Sequence, residues 1–151
     1  ANVTTVNIAK GIATSIADYE PTTGDDTFVY DGSAIDGGFG EDTIQLRFGE
    51  DVSGSDLAAK LDNIEILDLS IAGANTIGGV ADGLDIQDVL DITGSDTLTI
   101  MGDTDDVVNL DNDWGVGVSD GSGNAVYTHT DSGTVTTVKI DENIVVNLIV
   151  D

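Results

Sequence analysis

Residues 37–45 read GGFGEDTIQ, a glycine-rich turn followed by an acid and an apolar residue. The stretch has the form G-G-x-G-x-D-x-U-x, where U is apolar, at every specified position. Its glycines allow a tight turn that presents backbone carbonyls, and Asp42 adds a charged oxygen. Hard cations such as Ca²⁺ prefer oxygen ligands of these two kinds. Calcium is therefore the first hypothesis for the acidic residues elsewhere in the chain.

The net charge of the chain supports the calcium hypothesis. The chain of 151 residues has 29 acidic residues against 4 basic ones, which gives a formal charge of -25, although 40% of its residues are hydrophobic. So much like charge opposes compaction, and bound divalent cations would relieve it. An alternative is an acidic surface adapted to high salt. Binding to nucleic acid or to anionic membranes is excluded as an expectation, because both need a basic footprint that this chain lacks.

Cysteine is absent, so neither disulfides nor thiolate metal sites are expected. A cysteine-free chain that needs calcium is well suited to leaving a cell unfolded and folding outside. We expect no membrane insertion, since no apolar run approaches 18 residues. The first twenty residues lack the pattern of a signal peptide. Because the chain starts at Ala1 rather than Met, we expect a fragment or a processed product.

A shorter pattern, G-x-D-T-U, occurs at residues 24–28, 40–44 and 94–98, with a looser echo at 102–107. Each copy places a glycine turn and an acid before a β-prone stretch. Short strands between Gly/Asp turns indicate the stacked coils of a solenoid. The first two copies are not separated by a multiple of nine residues, so a long regular array is not expected. The alternatives are a degenerate solenoid, or a β-domain with one or two calcium turns.

Little helix is predicted. Residues 55–61 can form two helical turns with Ser55 as the N-cap, and residues 85–90 can form one or two. Residues 6–19 have apolar side chains at helical spacing, but residues 3–8 alternate like a strand, so both interpretations stay open.

The C-terminal part has longer β patterns. Residues 125–130 and 134–140 flank Asp131-Ser132-Gly133, which is typical of a hairpin, and residues 144–150 form another β-prone run. We therefore expect an antiparallel meander from Trp114 to the end.

Four stretches together carry a family resemblance. Residues 23–32 (TGDDTFVYDG), 35–44 (IDGGFGEDTI), 61–69 (LDNIEILDL) and 96–100 (DTLTI) resemble the C-terminal region of large bacterial repeats-in-toxin (RTX) adhesins exported by type I secretion. The resemblance covers roughly residues 22–110. It implies secretion unfolded, calcium-driven folding outside the cell, and a role at the surface in adhesion or in a biofilm matrix. The chain departs from the family in having one full nonapeptide rather than a tandem array.

These observations define the expected fold class. It is all-β, with a degenerate calcium-binding β-roll or solenoid-like part over residues 22–113 and an antiparallel β meander over 114–151. Residues 1–21 form an N-terminal segment whose structure is left open. The three parts are expected to make one continuous domain.

The resemblance also implies metal ligands. In such rolls the nonapeptide Asp is a side-chain ligand, and carbonyls of the turn complete the shell. Carried over to this chain, the ligands are Asp42 with carbonyls near Gly38 and Gly40, and Asp26 near Gly24 in the partial copy, with Asp36 as a further contributor. The alternative is that these are ordinary Asp-Gly turns.

A second acidic stretch is a weaker candidate for calcium. Its ligands would be Asp103, Asp105 and Asp106 in one turn, followed by Asp111 and Asp113. Oxygen ligands at this density can hold the ion, although the EF-hand pattern is missing. Solvated acidic turns are the alternative.

Other functions have little support. His129 is the one histidine and Trp114 the one tryptophan, and each is more typical of a structural residue than of a catalytic base or a sugar platform. Neither H-E-x-x-H nor G-x-S-x-G occurs, so we do not expect an enzyme.

The leading hypothesis is a calcium-stabilised extracellular module with a structural or adhesive role on a type I-secreted surface protein. A second is a self-assembling subunit of a surface layer or filament, in which exposed strand edges pair between chains. A third is a calcium-dependent domain that binds surface glycans or peptides.

Overall fold

The computed structural model describes residues 23–150, and the segment predicted over residues 1–21 lies outside this range. The described part is mostly β, with two short helices. Its elements are β1 (Thr27–Val29), β2 (Ile35–Asp36), β3 (Thr43–Gln45), β4 (Asp51–Val52), α1 (Gly54–Lys60), β5 (Leu61–Asp62), β6 (Ile66–Asp68), β7 (Thr76–Ile77), α2 (Ile86–Thr93), β8 (Thr97–Met101), β9 (Val107–Leu110), β10 (Val118–Ser119), β11 (Asn124–Asp131), β12 (Thr134–Asp141) and β13 (Val145–Leu148).

The largest sheet has seven strands in the order β1-β3-β6-β8-β12-β11-β10. Its strands from β1 to β12 run parallel, whereas β12, β11 and β10 are antiparallel neighbours. A second sheet has the order β13-β9-β7-β4 and is parallel throughout. The chain passes from the first sheet to the second after β3, β6, β8 and β12. A short parallel pair, β2 and β5, lies apart from both sheets.

The register of the first sheet stacks apolar side chains directly above one another. Phe28, Ile44, Leu67, Ile100 and Ile140 are register partners in successive parallel strands, and all five are 0% exposed. Burying each such side chain contributes roughly 1.5–3 kcal/mol. This column of apolar residues holds the register, because a slip by one residue would turn it toward solvent.

The helices fill the connections between the second sheet and the next strand of the first. The N-cap of α1 is Ser53 rather than the predicted Ser55, since Ser53 has extended backbone and its Oγ accepts the Asp56 N–H at 3.2 Å. The Ser55 hydroxyl instead donates to Asp82 at 2.5 Å. In α2, Asp85 and Asp88 form a reciprocal capping box. Both segments that were predicted to be short helices are helical in the structure.

The predicted hairpin is confirmed. β11 and β12 pair antiparallel over eight residues, and Ser132 (φ 51°) and Gly133 (φ 89°) form the two-residue turn. The prediction of an antiparallel meander continuing through residues 144–150 is wrong, because β13 pairs in parallel with β9 in the second sheet. The physical reason is that β8 and β11 already occupy both edges of β12.

Candidate metal centre

The nonapeptide turn places Asp42 immediately before β3 with its side chain 0% exposed. Gly38 (φ 85°) and Gly40 (φ 132°) both have positive φ, which L side chains rarely adopt. A Cβ atom on Gly40 would lie 2.6 Å from the Gly24 carbonyl oxygen. Glycine is therefore required at Gly40 for two independent reasons, and the two G-x-D-T-U turns pack directly on each other.

Three acidic side chains stack at the start of neighbouring strands of the first sheet. We call Asp26, Asp42 and Glu65 the first ladder. The backbone N–H of Asp26 donates to Asp42 Oδ1 at 2.7 Å, and the N–H of Asp42 donates to Glu65 Oε2 at 2.8 Å. Backbone bonds follow the same order, from Thr43 N–H to the Asp26 carbonyl at 2.9 Å and from Ile66 N–H to the Asp42 carbonyl at 3.0 Å. The carboxylates of Asp42 and Glu65 thus each satisfy a backbone donor of the preceding strand.

The first ladder ends at an apolar residue. The register that pairs Ile66 with Thr99 aligns Glu65 with Leu98, which is 0% exposed. Asp96, the acid of the third G-x-D-T-U copy, lies two residues earlier and is exposed. The third sequence copy therefore does not extend the ladder, and Glu65 takes a position that no copy of the pattern predicts.

The second carboxylate oxygen of Asp42 has no such role. Asp42 Oδ2 is buried and makes no hydrogen bond with any residue in the range 23–150. The pKa of Asp42 is raised to about 6, chiefly by burial and further by the charges of Glu65, Asp26 and Asp25, although the hydrogen bond from the Asp26 N–H opposes the shift. Burial likewise raises the pKa of Glu65. The site therefore concentrates negative charge where water cannot stabilise it.

Asp42 Oδ2 lies close to a glycine and to a backbone carbonyl oxygen. A Cβ atom on Gly37 would collide with the Asn63 carbonyl oxygen and would lie 2.6 Å from Asp42 Oδ2. Asn63 itself has positive φ (52°), an unusual conformation for a residue other than glycine. Glycine is therefore needed at Gly37, because a carboxylate oxygen and a carbonyl oxygen both pack against its Cα. These are the two kinds of oxygen that Ca²⁺ accepts.

The second sheet repeats the arrangement with a different composition. In the second ladder, Glu50, Asn75 and Asp106 precede β4, β7 and β9. The Glu50 N–H donates to Asn75 Oδ1 and the Asn75 N–H donates to Asp106 Oδ1, both at 2.9 Å. Asp106 Oδ2 accepts from the Asp103 N–H at 2.9 Å, so both of its oxygens have donors. This ladder also ends at an aliphatic residue, because the register of β9 and β13 aligns Asp106 with Ile144.

The remaining predicted ligands are distributed over separate turns. Asp36 Oδ1 accepts from the Gly38 N–H at 3.0 Å and from Asn63 Nδ2 at 2.8 Å. Asp103 Oδ1 accepts from the Asp105 N–H at 3.0 Å in the turn before β9.

Asp111 and Asp113 follow the other end of β9, so the two acidic turns do not form one cluster. Within residues 23–150, no group of three or more His, Asp or Glu side chains is placed to hold a metal ion. A cation at Asp42 would therefore depend on backbone carbonyls as well as on carboxylates.

The single tryptophan and the single histidine of the chain both make structural contacts. Trp114 is 4% exposed, and its Nε1 donates to the Leu84 carbonyl at 2.8 Å, so its ring is not available as a platform for a sugar. His129 Nδ1 lies 3.0 Å from the Asp113 carbonyl oxygen.

Three residues of the ladders were not predicted as site residues: Glu65, Asn75 and Glu50. Glu65 lacks a preceding glycine turn, and Asn75 is not an acid, so the G-x-D-T-U pattern does not find them. The one available signal was position, because each polar residue directly precedes a strand.

Comparisons with protein-family models, with curated proteins and with solved structures returned no match. Among the residues that the structure describes, no helix has the length and apolar character needed to cross a membrane.

Proposed function

We propose that the chain is a calcium-stabilised, extracellular structural or adhesive module of a type I-secreted bacterial surface protein. The observation that carries the proposal is Asp42 Oδ2, a fully buried carboxylate oxygen without a hydrogen-bond partner among residues 23–150. A buried anionic oxygen is costly unless it meets a positive charge. Calcium would supply that charge.

The residues around Asp42 fit such an ion. Asp42 Oδ2 would hold it, and the Asn63 carbonyl oxygen, which also lies beside Gly37, would be a second ligand. Asp26 and Glu65 add negative charge near Asp42, and the charges of both raise the pKa of Asp42. Calcium would therefore stabilise a turn on which two strands and two repeat copies depend.

The strand arrangement supports a structural role. The chain passes alternately between two sheets and adds one parallel strand to each sheet at every passage from β3 to β9. This progression is typical of a solenoid, which supports the degenerate β-roll interpretation of the sequence. Solenoids present extended surfaces, as an adhesive or matrix module requires.

The test is thermal unfolding of the folded chain in chelator, in millimolar Ca²⁺, in millimolar Mg²⁺, and in NaCl at matched ionic strength. Extracellular calcium modules bind at ~10⁻⁴ to 10⁻³ M. An ion present about tenfold above its dissociation constant adds about 1.4 kcal/mol per site. We expect Ca²⁺ to raise the melting temperature well beyond the NaCl control. An equal rise in NaCl would favour the alternative of a salt-adapted acidic surface.

One observation favours self-assembly as a second candidate function. β13 forms an edge of the second sheet, and Val145 and Leu148 on it are 49% and 45% exposed. A β-prone edge with apolar side chains can pair with another chain. Sedimentation velocity with and without Ca²⁺ tests this candidate, because assembly requires the charge of -25 to be screened.

A further inference from the structure

A cleft of about 510 Å³ lies between α2 and the tip of the β11–β12 hairpin. It arises because the hairpin extends beyond the sheet. β8 pairs with β12 only from Thr137 to Ile140, so residues 134–136 and their partners on β11 have no strand beyond them. The cleft is separate from the two ladders and contains none of their residues.

Thr136 is the first sign of a ligand in this cleft. It is the outermost residue of the inward-facing row that continues with Val138 and Ile140, both of which are fully buried. Thr136 lines the cleft and is only 4% exposed, and its hydroxyl is not among the fully buried unpaired atoms of residues 23–150, so it opens onto the cleft. A ligand in the cleft could therefore hydrogen-bond with this hydroxyl in place of water.

His129 is the second sign. It is the direct cross-strand partner of Thr136, so the two side chains share one face of the hairpin. A carbonyl oxygen only accepts, so the contact with the Asp113 carbonyl requires His129 Nδ1 to carry the proton. In the neutral ring Nε2 is then an acceptor. The cleft thus offers a hydroxyl and a nitrogen lone pair side by side.

The charge of the cleft identifies the class of ligand. Asp113 and Asp131 line it, and neither Lys nor Arg is among its lining residues. A metal ion is not favoured, because no three His, Asp or Glu side chains in residues 23–150 are placed to hold one. Ile86 and Leu90 supply apolar surface on the side of α2. The ligand should therefore combine a positive charge, several hydrogen-bond donors and an aliphatic stem.

We propose that the cleft between α2 and the β11–β12 hairpin binds a primary alkylammonium group. The ammonium donates to the Thr136 hydroxyl and to His129 Nε2, and the Asp113 and Asp131 carboxylates provide its countercharge. The methylene stem packs on Ile86 and Leu90. Such a group is present on a lysine side chain of a partner protein and on a free polyamine.

The experiment is a titration of ¹⁵N-labelled protein, followed by NMR, at fixed calcium and ionic strength. The probes are 1,5-diaminopentane, Nα-acetyl-lysine amide and the uncharged 1,5-pentanediol. We expect saturable shifts around the cleft for the two amines and none for the diol. Tighter binding of the lysine derivative would identify a protein partner, and tighter binding of the diamine would identify a free polyamine.

Matched variants separate this site from general attraction to an acidic protein. Thr136→Val keeps the side-chain shape, and Asp131→Asn removes one charge from the cleft. Each should weaken amine binding by about tenfold, the loss typical of one well-placed interaction. Glu142→Gln removes the same charge from an exposed residue beyond the other end of β12 and should change affinity by less than about twofold.

Three outcomes would overturn the proposal: non-saturable shifts, equal binding of the diol, or equal weakening by Glu142→Gln and Asp131→Asn. Because the ladders lie elsewhere, the result does not depend on whether calcium stabilises the fold.

Discussion

The backbone N–H of Asp26 donates a 2.7 Å hydrogen bond to Oδ1 of Asp42, although the two residues are sixteen positions apart. The bond joins the first two G-x-D-T-U turns and uses only one oxygen of the carboxylate. The other oxygen, Oδ2, is left buried beside Gly37. On the proposed function, structural capping and cation binding would use different atoms of one side chain, so substitutions can separate them.

Asp42→Asn should remove the response to calcium without removing the capping bond. Asparagine keeps an oxygen for the Asp26 N–H and eliminates the buried charge. In chelator at pH 7 we expect the variant to be at least as stable as the original chain. In millimolar Ca²⁺ it should show little of the original chain's gain, as measured by chemical denaturation.

Asp42→Ala is the control, because it deletes both oxygens. In chelator it should lose about 1–3 kcal/mol, since the buried Asp26 N–H is left without its acceptor. In calcium it should in addition lose the gain that the original chain shows. A full calcium response in Asp42→Asn would contradict a cation at Oδ2.

Gly37→Ala should destabilise the protein by roughly 1–3 kcal/mol through overpacking. The new Cβ would collide with the Asn63 carbonyl oxygen and approach Asp42 Oδ2 to 2.6 Å. Gly79→Ala is the matched control, because its nearest neighbouring atom would be 3.8 Å away and its φ is not positive. Urea denaturation of both variants measures the difference. Equal stability would show that the turn relaxes freely around residue 37.

Asp88→Asn should reduce the dependence of stability on pH. The pKa of Asp88 is raised from 3.8 to about 6, chiefly by burial and also by the charges of Asp85, Asp82 and Asp91, although the hydrogen bond from the Asp85 N–H opposes the shift. The folded state then binds the proton more tightly than the unfolded state, so stability falls as the pH rises from about 4 to 6. At one pKa unit per 1.36 kcal/mol, the contribution of Asp88 is at most about 3 kcal/mol.

The measurement is the free energy of unfolding at pH 4.5 and pH 7 in chelator. Glu142→Gln, at an exposed residue whose charge is not among those that raise the pKa of Asp88, removes an equal charge and serves as the reference. The variant at residue 88 should lose clearly less stability between the two pH values than the reference. Identical losses would show that general charge repulsion dominates.

Ile144→Ala should cost about 2–5 kcal/mol, the range for truncating a buried aliphatic side chain. Ile144 is 5% exposed. The register of β9 and β13 aligns it with Asp106, so it ends the second ladder. Val145→Ala changes the next residue, which is 49% exposed, and should cost less than about 1 kcal/mol. Thermal unfolding of the two variants compares them directly. Similar losses would mean that Ile144 does not seal this end of the core.

Much of the local structure could be predicted from sequence. The strands at residues 28–30, 44–46, 98–100 and 107–110 lie within a residue or two of those observed, and the hairpin turn at Ser132-Gly133 is as expected. These features depend on alternation, β-propensity and positive-φ glycine, all of which act within a few residues. The equivalence of Asp26 and Asp42 was also visible, because both follow the same short pattern.

The register between distant strands could not be predicted in the same way. Glu65 occupies the third place in the first ladder because Ile66 pairs with Thr43. Asp96 carries the third copy of the pattern, but it does not extend the ladder because Ile66 pairs with Thr99 rather than with Thr97. Two helices of different length interrupt the repeat. The spacing of the pattern along the chain therefore no longer predicts where each copy lies in the sheet. Packing of apolar side chains across strands decides the register instead.

By itself, the sequence determined the all-β class, the turns, most strand positions and the acidic residues available to a cation, since these follow from local conformational preference and composition. Only the tertiary structure decided which acids stack, that β13 joins β9 in parallel, and that Thr136 and His129 face α2 across a cleft. Those relationships arise from contacts between segments tens of residues apart, whose geometry depends on how the whole core packs and on which strand edges remain open.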